Sequence, residues 1–351
     1  MNSSLDIKSE FRIDKLPEIP FQKKTSMGKY IGIDVSKKVF DVAFFKNNET
    51  WFYKTLVNEE EGFRELISLI SKDDVLVMEA SGPYHLRLAL FLTKSGYKVS
   101  VVNPLIIKRY SQMLMLRAKT DKKDAKTISE YGSFTKPSLW EPKGELLMEI
   151  QEMYTSLNLF RKQLTMLTNQ FKAFESSGIF NHFLKKELKQ HKSVLENRIK
   201  RIELEIEALI QSEYGELVKR LRTIPGIGVK TSTFLIVVTN AFENFSNYKE
   251  LISYLGLSPR IYESGSSVRG KGHIAKLGNS QVRKMLYMCS WTAKKSNLKC
   301  VEMYDRLHEK GKPERVIKIA IVNKLLKQVF AIAKSRKIYN ENHISTLKRV
   351  A

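Results

Sequence analysis

Three β-rich runs follow one another almost without interruption, and the chain then switches to alternating helix and strand. Residues 30–35 (Tyr-Ile-Gly-Ile-Asp-Val) and 39–45 are separated only by Ser36-Lys37-Lys38, a spacing that predicts a hairpin, and 51–57 supplies a third run. Between 59 and 71, Phe63, Leu66, Ile67 and Ile70 recur at helical spacing. An apolar strand at 74–79 follows, then a helix opened by Pro83 and running to Lys94, a strand at 97–102, and a further helical stretch after Asn103-Pro104. This order places the first folded unit in the α/β class.

Acidic residues stand inside this apolar pattern, where burial without a partner is costly. Asp34 lies in the first strand and Glu79 ends the fourth. Asp121 and Asp124 are three apart, so they share one face of the helix expected there. Three strands in meander followed by helix–strand alternation is the ribonuclease-H-like order. In that order the centre of strand one, the end of strand four and a later helix meet at one site. The four acids map onto those three places, as a divalent cation held against a phosphate backbone requires. Blander roles exist for each. Asp121 could cap its helix while Asp124 complements the dipole, and Glu79 could simply end a strand while Ser81 caps the next helix. Asp41 falls on the face opposite Phe40 and Val42 and reads as a surface charge. Lys119, Lys122, Lys123 and Lys126 flank the acids and would neutralise phosphates.

From about 146 to 212 the pattern is almost wholly helical. Leu157, Phe160, Leu164, Leu167 and Phe171 precede Ser176-Ser177-Gly178, and Leu188, Val194, Ile199, Ile202, Ile206 and Ile210 follow it. Two amphipathic helices joined by a Ser/Gly turn make a helical hairpin that projects from the globular unit or pairs with another subunit, unless its apolar faces belong to an internal bundle core. The stretch Leu221–Ile236 contains Ile224-Pro-Gly226-Ile-Gly228-Val-Lys230, the signature of a helix-hairpin-helix. Glycines there let backbone approach a phosphate, and the next helix offers free N–H groups with a favourable dipole, although a glycine-rich helix end explains part of the pattern. Further on, Glu263-Ser264-Gly265-Ser266-Ser267 is a Ser/Gly loop surrounded by Arg260, Arg269, Lys271 and Lys276. It fits a plain turn, a phosphate clamp, or a serine nucleophile on phosphorus whose neighbouring Arg stabilises the transition state; His273 is near enough in sequence to shuttle a proton. Helices are expected at 281–296 and 315–334.

Charge separates the regions. The chain of 351 residues carries a net +23, of which residues 1–150 hold +4, 151–215 hold +2 and 216–351 hold +17. A C-terminal excess of this size is the footprint of a polyanion, and nucleic acid fits better than a lipid surface because no apolar run spans a bilayer. Two cysteines, Cys289 and Cys300, make neither a disulfide framework nor a zinc set and read as reduced core or helix-face residues in a cytoplasmic protein. Five segments are expected: a flexible tail at 1–28, an acid-bearing domain at 29–145, the helical hairpin at 146–215, a basic domain at 216–335 and a C-terminal tail at 336–351.

Taken together, Tyr-Ile-Gly-Ile-Asp34-Val-Ser-Lys, Met-Glu79-Ala-Ser-Gly-Pro-Tyr, Lys-Thr-Asp121-Lys-Lys-Asp124-Ala, Ile-Pro-Gly-Ile-Gly, and Ser264-Gly followed by Arg269-Gly and Ile274-Ala-Lys-Leu-Gly-Asn resemble the DEDD-type insertion-sequence transposases over residues 29–335. The resemblance implies a RuvC-like N-terminal domain whose Asp34, Glu79, Asp121 and Asp124 bind magnesium, or manganese in its place. It further implies a C-terminal transposase domain with a catalytic serine that attacks DNA and forms a covalent phosphoserine link. Ser264 matches that position, with Ser266 and Ser267 as neighbours. Donor and target DNA, a structured bridge RNA and a homo-oligomer from dimer to tetramer are the implied partners, with no membrane, in the nucleoid of a prokaryote. Two other readings predict different behaviour. A metal-dependent resolvase would hydrolyse DNA without a covalent intermediate, and a packaging protein would tolerate loss of Asp34 or Glu79.

Overall fold

The three β runs form β1 (Tyr30–Val35), β2 (Val39–Lys46) and β3 (Thr50–Val57) in the computed structural model. It describes residues 28–46, 50–115, 120–260, 263–264, 268–269, 273–275 and 277–342. The chain divides into two compact units, one ending at Pro142 and the other beginning at Lys143. In the first, Ser36 closes the β1–β2 hairpin by donating its backbone N–H and its hydroxyl to the Val39 carbonyl, at 2.9 and 2.7 Å. Then follow α1 (Glu60–Leu69), β4 (Val75–Glu79), α2 (Tyr84–Lys94), β5 (Lys98–Val102), α3 (Pro104–Met113) and α4 (Asp121–Thr135). The sheet order is β3-β2-β1-β4-β5, antiparallel through the meander and parallel across β1, β4 and β5.

Side chains alternate across this sheet. Ile31, Ile33, Phe40, Val42, Leu76 and Met78 face one way and are buried with Phe63 of α1 and Leu88 and Leu92 of α2. Tyr30, Val75, Val77 and Val102 face the other way, against Ile107 of α3 and Ile128 of α4. A Cβ at Gly32 would stand 2.0 Å from the Ala125 carbonyl oxygen and 2.4 Å from the Ser129 nitrogen, so helix and strand touch backbone to backbone there. Ser129 fixes the contact by donating its hydroxyl to the Tyr30 carbonyl at 2.7 Å.

The second unit begins with two long helices, α5 (Glu145–Ser176) and α6 (His182–Arg222), which pack on each other as a hairpin. It continues with α7 (Val229–Thr239), α8 (Tyr248–Tyr254), α9 (Ser280–Ser296), α10 (Leu298–Glu309) and α11 (Glu314–Ser335). Two short strand pairs lie between α8 and α9: β6 (Pro259–Arg260) with β9 (His273–Ile274), and β7 (Glu263–Ser264) with β8 (Val268–Arg269). The core gathers Leu235 and Ile236 of α7, Leu286 of α9, and Ile321, Leu325 and Val329 of α11. The base of the hairpin belongs to the internal core and its tip does not. Leu147, Ile150, Leu157, Ile206 and Ile210 belong to the buried core, whereas Met166, Ile179 and Phe183, toward the connecting turn, are exposed. α6 is continuous through residue 215 and reaches Arg222. Cys289 and Cys300 are free thiols, and burial pushes Cys300 up to about 12. Among the described residues no helix is long and apolar enough to cross a membrane.

Candidate active site

Register brings the first two acids together. β1 pairs in parallel with β4 from Tyr30↔Val75 to Ile33↔Met78, so the next residues along the two strands are Asp34 and Glu79. Alternation puts both on the face of Gly32 and Val77, which is the α4 face. The helix runs back along β1, with Ser129 at Tyr30 and Ala125 at Gly32. Four helical residues rise about 6 Å and two strand residues about 6.6 Å, so the two stay in step and the first turn of α4 arrives over Asp34. That turn carries Asp121 and Asp124. Asp124 is half-buried; the side chain of Asp121 lies outside the described residues.

Two local roles differ from the bland readings. Thr120, not Asp121, is the N-cap of α4, its hydroxyl accepting from the Lys123 N–H at 3.4 Å. Ser81 does not cap α2, where Pro83 holds the N-cap position; its hydroxyl instead donates to the Val35 carbonyl at 2.9 Å. Ser81 thereby ties the end of β4 to the end of β1, immediately beside Asp34 and Glu79.

Asp41 is more than a surface charge. It is half-buried and stands directly across the hairpin from Asp34, on the same face, while Thr55 of β3 donates a 2.5 Å hydrogen bond to its carboxylate. Like charges directly opposite on a sheet repel. The alternation in β2 already signalled the face of Asp41; its partner becomes visible only with the hairpin register.

All these donors are carboxylate oxygens, the chemistry that hard divalent cations select. Among the described residues no group of three His, Cys, Asp or Glu side chains is placed to hold a metal ion, and Asp34, Glu79 and Asp124 are each engaged with other groups. Donor type fits a hard cation, while the described side chains are not gathered into a coordination set. Lys122 and Lys123 are exposed on the same first turn.

In the second unit the two glycines of the Pro-Gly-Ile-Gly turn have different work. Gly226 adopts φ +100°, and a Cβ there would come within 2.8 Å of Ala293 Cβ, so it serves the packing of the turn on α9. Gly228 is the N-cap of α7, has no side-chain cap, and has open space where a Cβ would stand. Lys230, in the first turn of α7, is ion-paired to Glu203 at 2.7 Å. Ser264 and Arg269 sit in facing strands, with Ser264 paired to Val268 and Glu263 to Arg269, and Arg260 is exposed opposite His273. The side chains of Ser264 and Arg269 lie outside the described residues, as do Ser266, Ser267, Lys271, Lys276, Lys119, the tail at 1–27 and residues 343–351.

Comparison with known proteins covers both halves of this arrangement. Residues 31–174 match a family model described as a transposase, of the DEDD type named for IS110, and so include all four acids. Residues 218–305 match the model for "Transposase IS116/IS110/IS902 family", and include Gly226, Gly228, Lys230 and Ser264. The chain is 32% identical over 322 residues to the pilin gene-inverting protein of Moraxella lacunata, covering 89% of this chain and 98% of that protein, and equally to its counterpart from Moraxella bovis. It is 22% identical over 286 residues to the transposase for insertion sequence element IS1328 of Yersinia enterocolitica, covering 74% of this chain and 82% of that one. With family motifs over the acids and over the serine region, and relatives aligned along almost their whole length, the chain belongs to the IS116/IS110/IS902 family of transposases.

Proposed function

We propose that the chain cuts and rejoins donor and target DNA through a covalent phosphoserine intermediate, with a divalent cation, magnesium or manganese, held by Asp34, Glu79, Asp121 and Asp124. The observation that carries the reading is the placement of Asp34 beside Glu79 under the first turn of α4 in a transposase-family chain. The strand order β3-β2-β1-β4-β5, with β1, β4 and β5 parallel, supports a ribonuclease-H-like first unit. In the reaction the Ser264 oxygen bonds to phosphorus and gives up its proton, while the bridging DNA oxygen leaves and takes one up as a hydroxyl. One phosphodiester replaces another, so rejoining needs no ATP. The cation would offset charge developing on the phosphate oxygens. Arg260, Arg269, Lys271 and Lys276 supply cationic contacts near the serine, and Gly228 and Lys230 at the start of α7 supply a backbone phosphate site. Specificity comes from a structured bridge RNA by base pairing, so the protein reads duplex shape and backbone. The assembly is a homo-oligomer, dimer to tetramer.

A second outcome of the same chemistry is favoured by the relatives named as pilin gene-inverting proteins: two sites on one DNA molecule would be exchanged as an inversion. The test is a denaturing gel of labelled DNA with magnesium and RNA transcribed from the gene's flanks. An adduct formed by wild type and missing in Ser264→Ala is expected. Cleavage without an adduct in either protein would replace this reading with a hydrolytic nuclease, and an adduct persisting in Ser264→Ala would move the nucleophile to Ser266 or Ser267.

A further inference from the structure

Beside the start of α7 lies a cavity of about 420 Å³, within the range of small-molecule sites, about 300–1,000 Å³. Leu157 of α5, Ile206 of α6, Val229 of α7 and Met285 of α9 give it an apolar lining. The polar side is uneven in a way that packing alone does not require. Glu203 of α6 is bridged by Arg161 of α5 and Lys230 of α7, a brace across three helices. Burial pushes the Glu203 carboxyl up, but the hydrogen bonds from Lys230 and Arg161 outweigh it and hold the group below its ordinary range. Lys200, which also lines the cavity, has no ion pair among the described residues.

Thr233 is one helical turn beyond the open N-terminus of α7. It lines the cavity, is only 2% exposed, and its hydroxyl has no hydrogen-bond partner. A buried hydroxyl left unpaired is a cost that folding removes cheaply by substitution and that a ligand can remove on binding. Gly228, with open space at its Cα and no side-chain cap on the helix, lets an anion reach the first-turn N–H groups close to the same cavity.

We propose that this cavity receives one unstacked nucleobase of a single strand, the adjoining phosphate resting on the α7 N-terminus with Lys200 nearby. The proposal rests on the nucleic-acid reading above and deepens it by assigning a base-holding site. An apolar chamber whose polar edge carries Arg161, Lys200 and Lys230 against Glu203 and Glu207 suits a base with its backbone. A bare phosphate would leave the chamber unused, and an apolar ligand would leave both Thr233 and the helix end unmet.

The test uses the full-length protein and three short probes of equal phosphate number: oligothymidylate, oligouridylate and an all-abasic strand. Loss of base stacking, for which Tyr154 is the aromatic in the lining, predicts that the abasic strand binds wild type about tenfold more weakly than the better of the other two. Met285→Trp, which fills the chamber, is expected to erase most of that difference. Thr233→Val, nearly the same shape, is expected to shrink it about threefold while raising the melting temperature of the free protein, since the unpaired hydroxyl is gone. Base dependence mostly lost in Met285→Trp and reduced in Thr233→Val, with either sugar, supports the site, and the tighter sugar identifies the strand. A Thr233→Val protein that melts higher and keeps the full base dependence overturns it, even if Met285→Trp fails to fold. Binding of no strand at all would instead remove the nucleic-acid reading on which it stands.

Discussion

An alanine at position 32 would place its Cβ 2.0 Å from the Ala125 carbonyl oxygen and 2.4 Å from the Ser129 nitrogen, both backbone atoms of α4. Neither can move without shifting the helix that carries Asp121 and Asp124. Overpacking in a core costs about 1–3 kcal/mol, and backbone against backbone belongs at or above the upper end. Gly32→Ala should therefore lose at least about 3 kcal/mol in urea denaturation, and any folded fraction should recombine DNA poorly because the first turn of α4 leaves Asp34. Asp41 supports the opposite kind of prediction. Asp41→Asn keeps an oxygen for the Thr55 hydrogen bond and removes the charge facing Asp34. Thermal melts in chelator should show a gain of about 0.2–1 kcal/mol, and stabilisation by added magnesium should shrink; an unchanged magnesium response would confine Asp41 to a structural role. The positions of Asp34 and Glu79 were legible because an acid inside an apolar run stands out, and that of Asp124 because it stands three residues after Asp121 on one helix face. The pairing of Asp41 with Asp34 was not, because alternation gives a face and only register gives a neighbour.

Among the elements, the sheet was the most readable part. The strand expected at 30–35 is β1 residue for residue, and the runs at 51–57 and 97–102 differ from β3 and β5 by one residue at their starts. Strong alternation and tight turns leave such segments few alternatives. α10 was not read from the pattern. Asn297 alone separates it from α9, so its stripe of Cys300, Tyr304 and Leu307 follows the preceding helix with no turn signal to mark a new start. Its place is set by tertiary contacts, one of them electrostatic. Glu314, at the start of α11, pairs with Lys294 of α9 at 2.8 Å and with Lys318 at 3.2 Å, and Lys318 is buried with its ammonium 3.3 Å from the Trp291 ring centre. The hydrogen bond from Lys294, helped by Tyr304 and Lys318, outweighs burial and lowers the Glu314 carboxyl to about 2. A depressed carboxyl contributes stability that is complete above its unfolded value near 4.5 and lost as pH falls toward about 2. Melting curves of wild type should therefore drop across that acid window. Glu314→Gln should melt lower at neutral pH and show a shallower fall over the same interval; identical slopes would mean the network carries no net stability.

At the scale of the whole chain, charge and carboxylates make separable demands. Residues 216–351 hold +17 of the net +23, while the four acids lie before residue 125. Binding of a polyanion draws on the first and is weakened, if anything, by the second, because carboxylates repel phosphates. On the proposed reading catalysis would need both, since a cation bound by the acids would hold a phosphate that the acids alone reject. Asp34→Ala should therefore separate the two properties. Nucleic-acid affinity should stay within about threefold of wild type, with an unchanged slope of log affinity against log salt, because that slope counts phosphates neutralised by Lys and Arg. Recombination of donor and target DNA in magnesium should fall below detection. Wild-type recombination by the variant would sink the metal-site assignment while leaving the family membership and the serine chemistry standing. Loss of affinity in step with activity would mean that Asp34 holds the first unit together, and urea denaturation of the same protein would show it directly. Equal affinity, equal salt slope and no strand exchange would place Asp34 in the chemical step.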